Sequence, residues 1–232
     1  MAASGLQDIL SSLEKGAILT SIDLGYSELN GEDLKKLAQV LKSNKDINEI
    51  RLNDNNLKDD VAINAIVMLL QLPNLSELNL CACSIDDTGT AAIANELKNN
   101  EKSMTINLAY NEISDEGAQA IATMLETRKT QIVIDLMGNN IGNEGATTMA
   151  KALQKNTEAE GMLRGGIDLE DNCIQSPRRI FENSSDDFKI FYPNQRCLRA
   201  DPRASQNIAA VWGAKPSTDS KTPLSPDRTF TP

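Results

Sequence analysis

One spacing constrains this chain more than any other. The pattern Ile/Leu-x-Leu recurs with its second leucine at Leu24, Leu52, Leu80, Leu108, Leu136 and Leu169, at equal steps up to Leu136 and a longer step to Leu169. Two residues before each leucine stands Ile22, Ile50, Leu78, Ile106, Ile134 or Ile167; five after stands Leu29, Leu57, Ile85, Ile113, Ile141 or Ile174. Thirteen, fourteen and seventeen after come Leu37, Ala38 and Leu41, and the same three positions recur through Met149, Ala150 and Leu153. Each unit opens with apolar period 2 and closes on the i, i+1, i+4 spacing of a helix face, which predicts a short strand, a turn and a helix. Units of this length cannot bury their apolar faces alone and must stack.

Three residues after each leucine sits Asn55, Asn111, Asn139 or Asn172, with Cys83 in the third unit and Ser27 in the first. LxxLxLxxNxI followed by GxxxLaxxL resembles the leucine-rich repeat, in its ribonuclease-inhibitor-like subtype, over roughly residues 5 to 175. The resemblance implies an α/β solenoid, a horseshoe of about six repeats with parallel strands on the concave face, helices on the convex face and capping ends. It also implies a structural ladder of Asn55, Cys83, Asn111, Asn139 and Asn172. Each side chain there satisfies backbone groups that stacking would otherwise leave bare, a costly omission. The opening leucine is Leu19, Ile47 and Leu75 early on, but Ser103 and Gln131 later, where Met104 and Ile132 stand one residue on as substitutes.

The ends need caps, since a terminal repeat exposes one apolar side. Residues 1–17 carry Ile9, Leu10 and Leu13 one period before Leu37, Ala38 and Leu41, and read as the helix half of a repeat serving as the N-terminal cap. The repeats span 18–175. After Ile174 the period stops; Phe181, Phe188, Phe191 and Tyr192 are half of the chain's eight aromatics and are expected to close the open end within a C-terminal cap over 176–212, the competing reading being a docking motif. Residues 213–232 carry Ser, Thr and Pro without apolar period and read as a disordered tail.

Charge and residue absences narrow function. The net charge is −10, and residues 1–175 hold 13 more acidic than basic groups, while the last 57 hold nine basic and six acidic. An acidic solenoid repels phosphates, so neither nucleic acid nor an anionic membrane is an expected partner, and there is no apolar run for membrane insertion. The chain has no histidine, which removes histidine-based acid–base chemistry and triads. Four cysteines, two of them only two apart, make neither a disulfide framework nor a metal set. No cofactor motif is present. Asp135 and Asp168, on adjacent strands, are the one carboxylate pair an enzyme would use, and a shallow face lacks the pocket for it. The chain is therefore expected to be non-enzymatic, monomeric and without cofactor or metal.

On the resemblance, outward strand residues line the concave face. Those expected to bind a protein partner with a basic patch are Tyr26, Glu49, Arg51, Asn53, Asp54, Glu77, Asn79, Asn107, Tyr110, Asp135, Met137, Asp168 and Glu170. No core requirement is apparent at these positions. A less charged centre within a polar rim, anchored by tyrosine and arginine, is ordinary interface anatomy. The second function class is a regulator of a small GTPase, because Ran GTPase-activating proteins share the repeat subtype, although their long acidic tail is missing here. The expected location is the cytoplasm, including that of a host cell, since small proteins of this subtype also serve as translocated bacterial effectors.

Overall fold

The computed structural model describes residues 3–158, 165–175, 177–181 and 188–191. The chain alternates helix and strand: α1 (Ala3–Glu14), β1 (Ser21–Asp23), α2 (Gly31–Leu41), β2 (Glu49–Arg51), α3 (Asp60–Leu70), β3 (Glu77–Asn79), α4 (Asp87–Asn99), β4 (Met104–Asn107), α5 (Asp115–Thr127), β5 (Ile132–Asp135), α6 (Asn143–Glu158), β6 (Gly165–Asp168), α7 (Pro177–Ile180) and β7 (Phe188–Phe191). All strands are parallel and lie in chain order in one open sheet. This is a leucine-rich repeat solenoid, with the helices packed in sequence along one side of the sheet.

The register is the sequence period made physical. Ile22 faces Ile50, Ile50 faces Leu78, Leu78 faces Ile106 and Ile106 faces Ile134, each partner one full period on. The leucines that follow, Leu24 to Leu169, are all buried, as are Leu37, Ala38, Leu41 and their counterparts in the later helices except the half-buried Ala150, so strand and helix halves share one continuous aliphatic core. Met104 and Ile132 begin their strands and are buried, filling the layer that Leu75 fills in the unit before. The longer step between Leu136 and Leu169 accompanies the longest helix of the set, α6, with 16 residues. In α1 the most buried side chain is Leu6, while Ile9, Leu10 and Leu13 are half-buried against the core.

The helices α2 to α5 each start for a local reason. Asn30, Asp59, Asp86 and Ser114 have extended backbones and accept the N–H of Asp33, Ala62, Gly89 and Glu116 on their side-chain oxygens. A second acceptor reaches across from the repeat before. Asp87 Oδ1 accepts the N–H of Ser114 and Gly117 at 2.8 and 2.9 Å, and Asp115 Oδ1 accepts those of Gly142 and Gly145 at 2.7 and 2.9 Å. The recurring glycine makes this contact: a Cβ on Gly117 or Gly145 would lie 2.5 or 2.6 Å from that oxygen. Helix ends are tied similarly. Arg128 is buried, donates to the carbonyls of Leu97, Asn100 and Lys102 at the end of α4, and burial lowers its pKa to about 10. A cation is favoured at a helix C-terminus, where carbonyls have no intrahelical donor.

The end of the stack departs from the sequence expectation. A seventh strand, β7, pairs with β6, setting Ile190 beside Ile167 and Phe191 beside Asp168. The step from Ile167 to Ile190 falls short of a full period, and the helix before β7 is the single turn α7, opened by Pro177. A template of fixed period misses a unit so shortened. Phe181 enters the core and Ile190 packs against it. Tyr192, the rest of the expected cap up to residue 212 and the tail 213–232 lie outside the described residues.

Candidate functional site

The ladder residues set the turn from which the face is built. Asn55, Asn111 and Asn139 are buried and Asn172 is half-buried. Asn111 Nδ2 donates to the carbonyls of Leu80, Leu108 and Ala109, and its Oδ1 accepts the N–H of Cys83 and Ile85. Asn55, Asn139 and Asn172 repeat this pattern, each accepting from Leu29, Ile113 or Ile141 of the preceding repeat. Cys83 has no amide oxygen. Its thiol donates to the Leu52 carbonyl at 3.2 Å, and its own main-chain carbonyl accepts the Leu57 N–H. Burial pushes that thiol up to about 12. The residues after Ser27 and Cys83, Glu28 and Ser84, are left-handed at φ +50° and +59°, whereas those after the four asparagines are not among the left-handed residues. Main chain thus takes over where the side chain is wrong.

A second set of contacts constrains the strand face at five positions, and four of them, Asn79, Asn107, Asp135 and Asp168, are residues for which no structural requirement was expected. Asp23, Asn79, Asn107, Asp135 and Asp168 each accept, on Oδ1, the N–H two residues on, at Gly25, Cys81, Ala109, Met137 and Glu170, over 2.9–3.1 Å. These side chains close the turn out of the strand, so their shared Asp/Asn identity is structural first. The signal was present in the sequence as Asp or Asn at the residue before five of the six leucines.

Arg51 breaks that series. Its guanidinium lies 3.7 Å from Asp23 Oδ2 and 2.5 Å from Glu49 Oε1, the latter an ion pair by distance but not aligned as a hydrogen bond. Both partners face water in part, so the network adds little stability. Glu77 beside them is pushed up by burial and by the Glu49 charge. Arg51 is therefore tied to its neighbours rather than held out as a free anchor.

Two residues after each leucine the backbone turns left-handed: Tyr26, Asp54, Ala82, Tyr110, Gly138 and Asp171 have φ between +53° and +68°. The fold imposes this. Tyr26, Asp54, Ala82, Tyr110 and Gly138 each donate their N–H to the next repeat, to the carbonyls of Asn53, Cys81, Ala109, Met137 and Glu170, carrying the parallel ladder past the strand ends. Glycine, aspartate and asparagine tolerate such a position, and a bulky residue there costs on the order of 1–2 kcal/mol. Tyr26 and Tyr110 nevertheless stand there, 76% and 53% exposed. Tyr26 is coupled to Asp54, whose hydrogen bond and charge raise the phenol pKa. The Tyr110 hydroxyl donates to Met137 Sδ at 3.4 Å, and its ring lies along Gly138, where a Cβ would meet Cδ1 at 2.5 Å. Both rings thus lean onto the following repeat. Between them Cys81 and Ala82 are half-buried and small.

Gly138→Ala is expected to lift the Tyr110 ring and to lower stability by about 1–2 kcal/mol through the left-handed backbone. Loss of the nuclear Overhauser contact between that ring and the Met137 methyl, with a lowered Tm, checks it.

The C-terminal side of the face is acidic and closed. Exposure falls along the strands: Asp23 is open, Asn107 and Asp135 are half-buried, Val133 and Asp168 are buried. The repeat pattern sets Asp168 on an open face, yet it is only 2% exposed, one strand in from β7. Its Oδ2 has no hydrogen-bond partner among the described residues, and burial, with the charges of Asp135, Glu170 and Asp171, pushes its carboxyl up to about 7. Asp135 and Glu170 are also raised by burial.

Elsewhere a groove of about 390 Å³ is lined by Ser114, Asp115, Glu116, Asn140 and Glu144 at the starts of α5 and α6. Its amides are already taken by Asp87 and Asp115, and its carboxylates repel an anion. Among the described residues no group of three or more cysteines or carboxylates is arranged to hold a metal ion, and no helix is long and apolar enough to cross a membrane.

A family model described as Leucine Rich repeat matches residues 103–122 and 133–150, the strand-to-helix halves of the fourth and fifth units. No curated protein matches the chain. Among solved structures the chain is similar to one titled Leiomodin-1 Actin-Binding Site 2 (ABS2), at 19% identity and a TM-score of 0.44, over 78% of this chain and 87% of that one.

Proposed function

We propose that this chain is a non-enzymatic binding module whose strand face grips a protein partner, with the exposed tyrosines Tyr26 and Tyr110 as its anchors. The regular sequence period supports the ribonuclease-inhibitor-like subtype for the repeats. The observation that carries the function is the placing of two large aromatic side chains on left-handed backbone, exposed, where the fold asks for glycine, aspartate or asparagine. A backbone outlier held by its surroundings is a reason to look for function, and tyrosine is a preferred interface anchor because it brings wide contact area with few rotatable bonds. Three strand spacings of roughly 4.8 Å place the two residues about 14 Å apart across the dip at Cys81 and Ala82. A predominantly acidic rim (Asp54, Glu77, Asp135, Glu170, Asp171) selects a partner surface that is basic.

The test replaces both tyrosines by asparagine, which suits the left-handed position and is expected to leave the fold as stable as before or slightly more so. Wild type and the Tyr26→Asn/Tyr110→Asn variant are each used for affinity capture from cell lysate, read by mass spectrometry. A protein enriched by the wild type and lost by the folded variant supports the reading and names the partner. The same proteins captured by both would remove the strand face from consideration.

A further inference from the structure

The two ends of the sheet differ. At one end β7 pairs with β6; at the other, no strand lies before β1 among the described residues. The main chain there is cut off in the middle of a ladder. One repeat on, the Glu49 N–H donates to the Thr20 carbonyl and the Arg51 carbonyl accepts the Leu24 N–H. One further, the Glu77 N–H donates to the Asn48 carbonyl and the Asn79 carbonyl accepts the Leu52 N–H. The same groups one period earlier belong to Ser21 and Asp23, and they have no strand to face. Both residues are exposed. The open stretch ends just past them: the Gly25 N–H donates to Asp23 Oδ1 at 3.1 Å, and the Gly25 carbonyl accepts the Ser27 hydroxyl at 3.3 Å. Unpaired strand edges are templates for another chain.

The side chains at this end supply an independent observation. Ile18 is 76% exposed, whereas its counterparts one and two periods on, Asp46 and Asn74, are polar. Leu19 is half-buried, whereas its counterparts Ile47 and Leu75 are buried. The helix side is covered no better: Ile9, Leu10 and Leu13 in α1 are half-buried, whereas Leu37, Ala38 and Leu41 in α2 are buried. The first aliphatic layer therefore lacks the neighbour that each later layer has, and lacks it beside the unpaired main chain. An extended segment matches both features at once. Its own N–H and C=O groups meet those of the edge at sheet spacing, and its alternating side chains reach the aliphatic layer. A second copy of this chain is a poor occupant, since each copy carries a net charge of −10 and exposes Asp23 at the edge, so like charges meet.

We propose, resting on the protein-binding reading above, that the free edge of β1 takes a short extended segment of the partner as a further strand, with an aliphatic side chain over Ile18 and Leu19 and a basic residue beside Asp23. The Asp23 side chain is 65% exposed, so the edge itself carries the charge that selects a basic residue. Exposed Tyr26 follows β1 directly, which makes the edge continuous with the tyrosine-bearing face.

The probe is the peptide acetyl-IVTVK-amide, added to the full chain and followed by amide chemical shifts and hydrogen exchange. Its comparisons are acetyl-IVTVE-amide and two versions of the parent peptide N-methylated at alternate residues in opposite phase. The expected result is shifts confined to residues 18–26 and their neighbours on β2, with exchange at Ser21 and Asp23 slowed several-fold. The glutamate peptide is expected to bind more weakly. One methylated peptide is expected to lose binding and the other to keep it, because only one set of its N–H groups faces β1. Ile18→Asp places at an exposed position the residue that the next repeat carries there, so the Tm is expected to stay unchanged while the peptide weakens by about five- to tenfold. Equal binding of the glutamate peptide or of both methylated peptides, shifts scattered over the acidic surface, or no effect of Ile18→Asp would overturn the added strand. Slow exchange at Ser21 and Asp23 before any peptide is added would put a segment of the chain itself on the edge and overturn it as well. So would a dimer in sedimentation that Ile18→Asp abolishes, since a second copy then occupies the edge. A partner captured alike by wild type and Ile18→Asp but lost by the double tyrosine variant, with no peptide binding, overturns this inference alone. Peptide binding at the edge with no tyrosine-sensitive partner overturns the strand-face reading and leaves the added strand standing.

Discussion

Leu108→Ala is expected to lower the free energy of unfolding by about 3–4 kcal/mol, measured by urea denaturation followed by circular dichroism. Leu108 is 2% exposed and stands one period from Leu80 and Leu136, both fully buried, so its side chain fills a layer between two others. Truncation removes its transfer free energy and leaves a cavity, a loss of about 2–5 kcal/mol in well-packed cores. Collapse is hindered here because the Leu108 main chain is fixed from three directions. Its carbonyl accepts from Asn111 and Asn139, and its N–H donates to the Asp135 carbonyl. The expected loss therefore sits in the middle to upper part of that range. In a stack where each repeat touches only its neighbours, a weak central layer is also expected to separate the halves. A reduced urea dependence beside the lowered midpoint marks that separation. A loss under about half a kcal/mol would place Leu108 outside the core.

What the sequence carried best was the part governed by burial. The inward positions follow from the repeat period, and the observed register reproduces it strand by strand from Ile22 to Ile134. Polar identities were harder to read, because their reasons lie in neighbouring repeats. Asp87 and Asp115 look like ordinary first-turn helix acids, yet each caps the helix of the next unit. Asp23, Asn79, Asn107, Asp135 and Asp168 look like free surface positions, yet each closes its own turn. Arg128 looks like a helix-end charge and is buried among carbonyls. The last strand, β7, was hidden because Ile190 follows Ile167 by less than a full period and the intervening helix has shrunk to one turn. For the candidate site, Tyr26 and Tyr110 were legible as aromatic anchors, but their left-handed backbone, which gives them their weight, was not. Arg51 looked like an anchor and is held by Asp23 and Glu49.

Asn111→Ala is expected to lower stability by about 3–5 kcal/mol, comparable to a core truncation although no apolar contact of size is removed. Asn111 is nearly inaccessible to water, so its partners cannot be resolvated in place. The N–H groups of Cys83 and Ile85 both lose their acceptor, and the Leu80 carbonyl loses this donor. The Leu108 carbonyl keeps Asn139. Each buried group left bare costs about 1–3 kcal/mol, and relaxation recovers part of the sum. A competing view holds that main chain compensates freely, and the third repeat is its best support, since Cys83 occupies the ladder there without an amide. But that repeat reaches its solution with Ser84 left-handed and the Cys83 carbonyl turned to accept the Leu57 N–H. Glu112, after Asn111, already donates its N–H to the Ile85 carbonyl, so the same rearrangement in the fourth repeat breaks an existing bond. The converse substitution separates the two views. Cys83→Asn supplies the amide oxygen for Leu57 and lets Ser84 leave the left-handed region, a gain of about 1 kcal/mol. A loss near about 3–5 kcal/mol for Asn111→Ala together with a gain for Cys83→Asn, both read from urea midpoints, assigns the ladder to the side chains. An Asn111→Ala variant as stable as the parent would assign it to the backbone.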